Sequence, residues 1–149
     1  MVFNENKTTT LGFLNNSVAE VISTKPYNEN KKYNVKTFFV SKHRSPEYLQ
    51  LKRNDSLHNN FITFDNKTTT IVDKTFNLNT ISKFSTDILL LSDAQHISPK
   101  DLIGNIETEH LVIDSSNPYW ITKNWKKELD SLNIPYHDVN EAGAFILKF

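Results

Sequence analysis

The sequence predicts a mixed α/β fold, antiparallel in its first half and parallel in its second, on three observations. Two continuous apolar runs, DILLLSD and HLVIDSS, are bounded by polar residues, as strands buried on both faces are. Each run leads into a segment that opens with a helix start signal. The first half shows instead short β-branched and aromatic runs separated by Asn-rich turn clusters. A chain of 149 residues holds one hydrophobic core comfortably and two poorly, so a single domain over residues 1–149 is expected.

Taken in order, Val2-Phe3, residues 8–14 and residues 18–23 read as a β-meander, with turns at NENK and NN. A further strand is expected over residues 34–40, where Val35, Phe38 and Val40 are the apolar positions. The following segment, SKHRSPEYLQLKRNDSLHNN, reads as a long connection because of its Pro and Asn content. NNFITF, DNK and TTTIVD then form a hairpin. The string NKTTT occurs twice, at Asn6 and Asn66, each time as the second arm of a hairpin. After the DILLLSD strand, Ser98 caps a short helix with Pro99 at its first position and Asp101 in its first turn. After HLVIDSS, Asn117 caps and Pro118 opens a second helix reaching about Leu132, whose core face is Ile121, Trp125, Leu129 and Leu132. IPYHDV and AFILKF supply two closing strands, with Gly143 expected at positive φ between them. The result is antiparallel hairpins followed by a β-α-β-α-β unit.

Composition removes several classes of function. The chain has no cysteine, so disulfide scaffolds, thiol nucleophiles and thiolate zinc sites are excluded. Three glycines leave no phosphate-cradling loop, and Ser115-Ser116 lack a G-x-S-x-G setting. No apolar run approaches a spanning helix and the start carries no signal-peptide pattern, so the chain is expected to be soluble. Net charge is zero but uneven: residues 25–53 hold Lys25, Lys31, Lys32, Lys36, Lys42, Arg44, Lys52 and Arg53 against Glu29 and Glu47. Such a basic stretch can orient a polyanion, although a solvated basic face is the more ordinary explanation.

From Asp87 onward the chain resembles the C-terminal metallo-β-lactamase-like domain of the ComEC DNA-uptake proteins. The residues carrying the resemblance are DILLLSD, the strand end IDSSNPY, the Trp-bearing helix leading to LNIPYHDV, and the closing EAGAFIL. FITFDNKTTTIVD fits the same family less specifically. The resemblance implies a partial metallo-β-lactamase-like fold and a soluble module of a polytopic inner-membrane protein that passes one DNA strand. In catalytic members a His pair follows the strand matching DILLLSD, and an HxHxDH-type cluster precedes it. Here Asp93 and Ala94 stand where the His pair would fall, and no HxH occurs. Asn117 and Tyr119 match a later family motif, but Trp120-Ile121-Thr122 replace its His-bearing turn.

Asp93, Asp114 and Asn117 are therefore the candidates for a vestigial site, with no catalytic residue, metal or cofactor expected. Asp93 and Asp114 end parallel strands, where open α/β sheets place ligands, and with His96 and Asp87 they offer oxygens and a nitrogen for a hard cation. Capping of the following turns is the simpler role. The His residues at 43, 58, 96, 110 and 137 show no ligand spacing. Trp125 falls on the apolar stripe of its helix, whereas Trp120 is open to either a structural role or base stacking.

Three functional readings follow. The first is a non-catalytic module of a ComEC-like channel, acting as scaffold or as a weak DNA-contacting surface through Lys31, Lys32, Lys36, Lys42 and Arg44. Its partners would be single-stranded DNA and the membrane portion of the parent protein, with no small-molecule ligand. The second is a metal-dependent hydrolase or nuclease with a carboxylate site. The third is a generic α/β interaction domain.

Overall fold

A computed structural model describes residues 1–26, 33–51 and 61–148, arranged as a mixed α/β fold with two sheets. In the first, β1 (Thr10–Leu14) and β2 (Ala19–Ser23) are antiparallel, with Thr10 opposite Ser23 and Leu14 opposite Ala19. Asn15 closes this hairpin by accepting the amides of Ser17 and Val18 on its Oδ1, at 2.8 and 2.6 Å. Such a side chain imitates a backbone turn.

Two expectations for this half are corrected. Residues 34–40 are not a strand but part of helix α1 (Tyr33–Ser41). Val35, Phe38 and Phe39 stand at i, i+3 and i+4, and Val35 and Phe39 are fully buried while Val40 is exposed. The β-branched and aromatic composition hid a helical period that was already present. The segment expected to be a plain connection contains strand β3 (Glu47–Gln50), which lies parallel to β2 and pairs Val21 with Tyr48. Glu47, Leu49 and Gln50 are exposed, so this edge strand leaves no burial pattern in the sequence.

The second sheet has the order β4-β5-β6-β7-β8 and holds β4 (Phe61–Phe64), β5 (Lys67–Val72), β6 (Phe84–Leu91), β7 (Ile106–Ile113) and β8 (Tyr136–Asp138). The β4-β5 hairpin is as expected, and its turn residues Asp65 and Asn66 have φ of 46° and 61°. Positive φ at both central residues matches the right-handed twist of the flanking strands, and Asn and Asp tolerate it best after Gly. The pairs β5-β6, β6-β7 and β7-β8 are all parallel. Helices α2 (Pro99–Ile103) and α3 (Tyr119–Ser131) make the two crossovers, which is the β-α-β-α-β unit. Ser98 caps α2 as expected, its hydroxyl accepting the Lys100 amide.

Three details of this half differ from expectation. The cap position of α3 is Pro118, without a side-chain cap, and Asn117 is used elsewhere. The buried face of α3 is Thr122, Trp125 and Leu129, with Ile121 half-buried and Leu132 exposed where the helix ends. Among its described residues, AFILKF forms no strand. Helix α4 (Val139–Ala142), capped by Asp138, follows β8 directly, and beyond Gly143 at φ 78° Phe145 pairs in a bridge to Val2.

Three apolar clusters set the layers. Leu89, Leu91, Leu111 and Ile113 pack with Leu102, Trp125 and Leu129 under α2 and α3. The alternate residues Ile88, Leu90 and Val112 face the other way, onto Leu11 and Phe13 of the smaller sheet. The far side of that sheet holds Phe3 and Val21 against Val35 and Phe39 of α1. The order is helices, five-stranded sheet, three-stranded sheet, helix, and β6 and β7 are covered on both faces as their unbroken apolar runs require. Gly12 lets the Phe3 ring lie on β1: a Cβ there would fall 2.6 Å from Phe3 Cε2.

Candidate functional site

Because β5 to β8 are parallel, their C-terminal ends share one edge, where open α/β sheets place ligands. That edge carries Asp73, Ser92, Asp114 and Asp138, all buried, and Thr9 reaches it from the residue before β1. Asp114 is the hub. Its Oδ2 accepts the Thr9 hydroxyl at 2.5 Å, and Thr9 in turn is hydrogen-bonded to Ser92. Its Oδ1 accepts the Ser116 amide at 2.9 Å and the Ser116 hydroxyl. Burial pushes the Asp114 carboxyl up to about 6, against the lowering effect of the donors from Ser116, Thr9 and Ser92. Desolvation is the dominant influence at this fully buried acid.

Asn117 completes the network. Its Nδ2 donates to Leu91 O at 2.8 Å and to Asp114 O at 3.1 Å, and its Oδ1 accepts the Ala94 amide at 3.2 Å. One side chain thus ties the end of β6 to the end of β7 across the point where both strands leave the sheet. This explains why Asn117 does not cap α3: the same short amide that suits a cap suits a clamp between strand ends.

The remaining sequence candidates do not converge on this hub. Asp93, at φ 53°, accepts Gln95 Nε2 at 3.1 Å. His96 bonds Phe76 O at 3.2 Å. Asp87 lies four residues before the end of β6, paired with Lys67 Nζ at 2.5 Å and accepting the Thr68 amide at 2.8 Å. Lys67 foremost holds its carboxyl below the ordinary value. Among the described residues no group of three or more His, Asp or Glu is placed to hold a metal ion. The donor set does not fit a binuclear metal centre, since the oxygens of Asp114 are already taken by hydroxyl, amide and Asn donors.

Beside the hub lies a cleft of about 680 Å³ lined by Lys7, Ser116, Asn117, Tyr119, Lys126 and Asp138, among others. Lys126 Nζ reaches Asp138 Oδ2 at 3.2 Å and also bonds Glu141, which above all raises its ammonium pKa. Trp120 stands at the lip with 65% of its surface exposed, and Tyr119 with 70%, while Trp125 is buried. The cleft escaped the sequence reading because its parts come from residues 6–7, 115–126 and 138–141, without a shared motif. Lys31 and Lys32 lie outside the described residues. Lys36 and Lys42 are exposed on and just beyond α1, and Arg44 donates to Asn16 O at 2.9 Å. They sit on the outer layer opposite α3 and do not line the cleft.

No helix among the described residues is long and apolar enough to cross a membrane. Comparison with known families finds the ComEC C-terminal domain matching residues 1–149, the full length of the chain. Neither the curated proteins nor the solved structures contain a match. With every residue covered, the chain belongs to the ComEC C-terminal domain family, which ties it to DNA uptake in natural competence.

Proposed function

We propose that the chain is a non-catalytic module of a ComEC-type uptake protein, serving as a scaffold beside the channel, with at most weak, sequence-independent contact to the passing strand. The observation that carries this reading is the closed hydrogen-bond network around Asp114. Thr9, Ser116 and Asn117 all donate to its carboxylate, so the strand-end edge is knit together as structure. A hydrolytic metal site needs carboxylates and imidazoles that converge with free lone pairs to lower the pKa of a bound water. Asp87, Asp93 and His96 each have separate partners instead. In this reading the membrane portion of the parent protein is the principal partner, and the exposed Lys36 and Lys42, with Lys31 and Lys32, supply the electrostatic contact to DNA.

The test is incubation of the purified chain with single- and double-stranded DNA in magnesium, manganese or zinc, together with metal analysis of the protein. Intact DNA and no stoichiometric zinc are expected. Metal-dependent cleavage that disappears in Asp93→Ala or Asp114→Asn would replace this reading with a hydrolase using a carboxylate site.

A further inference from the structure

The outward face of α3 carries a feature the scaffold reading does not use. Its inward face is Thr122, Trp125 and Leu129. On the opposite face Trp120, Lys123 and Lys127 follow one another at i, i+3 and i+7, which sets them in one line spanning about 10 Å along the helix. Both lysines are exposed, and neither is in an ion pair among the described residues. Nearby acids are occupied: Asp138 and Glu141 by Lys126, and Asp130 by the Tyr136 hydroxyl. An indole 65% exposed beside a phenol 70% exposed is unusual at a surface that packs against nothing.

We infer that this face is a stacking site for single-stranded nucleic acid, in which the indole of Trp120 takes the face of one base and Lys123 and Lys127 follow the phosphates. The inference deepens the DNA-contact part of the proposed function and moves that contact from the α1 side to the α3 side. A single strand is the occupant favoured by the observations because it offers what this line of residues fits: a flat π-face for the indole and regular negative charge for the lysines. A duplex keeps its base faces stacked inside. An acidic peptide matches the charge but not the ring.

The test uses the full chain at low salt, with oligothymidine, a duplex of equal length and polyglutamate as probes, followed by tryptophan emission and by anisotropy of labelled probe. Since Trp125 is buried, quenching reports on Trp120. Oligothymidine should quench the emission, and Trp120→Ala should weaken its binding roughly tenfold. Lys123→Gln with Lys127→Gln should weaken it and flatten its salt dependence. Replacing Lys36, Lys42 and Arg44 by Gln should leave it nearly unchanged. Equal binding of duplex or polyglutamate, or an unaffected Trp120→Ala, would overturn the stacking site. If binding then depends on Lys36, Lys42 and Arg44, the α1 contact stands and only this inference fails. No binding of any strand would overturn both and leave the scaffold alone.

Discussion

Thr9 and Asp114, 105 residues apart in the chain, share a buried hydrogen bond of 2.5 Å that joins the residue leading into the small sheet to the C-terminal edge of the large one, at the end of β7. Through Ser92, which bonds the same Thr9, three separate segments meet at one carboxyl group. This junction has measurable consequences.

The first concerns pH. The Asp114 carboxyl has a folded-state pKa of about 6 against an ordinary 3.8. Below pH ~4 both folded and unfolded states hold the proton; between ~4 and 6 only the folded state does; above that neither does. Its contribution to stability is therefore largest at low pH and is lost as pH rises through this window, by about 3 kcal/mol at pH 7. Asp114→Asn keeps the shape and should gain on the wild type progressively from pH 4 to 7 in urea denaturation. Hydroxyls at Thr9 and Ser92 can turn to accept from the new amide. Parallel stability curves for the two proteins would remove the desolvation argument.

A second expectation concerns the strand-end clamp. Asn117→Ala leaves the Ala94 amide without its partner and takes one of two donors from Leu91 O, which keeps the Asp114 amide, and should cost about 1–3 kcal/mol. Faster amide hydrogen exchange at Ala94 should accompany the loss. Asn117→Asp should do worse near neutral pH, because it trades a donor for a second carboxylate against Asp114. A variant as stable as wild type with unchanged exchange would mean that the clamp is incidental.

The third tests the helix face. Trp125 is 5% exposed within the cluster that also holds Leu102 and Leu129. Truncation to Ala should cost about 3–5 kcal/mol, a large share of what so small a domain possesses, and Trp125→Phe markedly less. Chemical denaturation followed by circular dichroism measures both, and a near-neutral alanine variant would show that α3 packs on another face.

The β-α-β-α-β part was legible because its signals are local. Buried strands appear as unbroken apolar runs, and Ser98-Pro99 marks a helix start by the chemistry of one turn. The misreadings fall where local signals are ambiguous or absent. Over residues 34–40, Val35, Phe38 and Val40 suggested a strand, whereas the buried set Val35 and Phe39 belongs to a helix; a window so short fits either period. β3 is a short edge strand held by backbone pairing, with nothing in its side chains to announce it. At the candidate site, Asp114 and Asn117 were visible as strand-end residues, but their roles depend on Thr9 and Leu91, which only the folded chain brings near. Trp120 was open in the sequence because exposure, which separates it from Trp125, is a property of the fold.

The bridge between Val2 and Phe145 has a mechanical meaning. Two backbone hydrogen bonds, of 2.8 and 2.9 Å, hold the two residues antiparallel. In that geometry Met1 and Ile146 leave from the same side of the bridge, so tension applied between them opens the two bonds by peeling and not by sliding. A peeled contact yields at small force because its bonds are loaded one after another. A pull along the chain would thus part the seam at Val2 and Phe145 well before it reached the Asp114 junction, leaving the sheets intact.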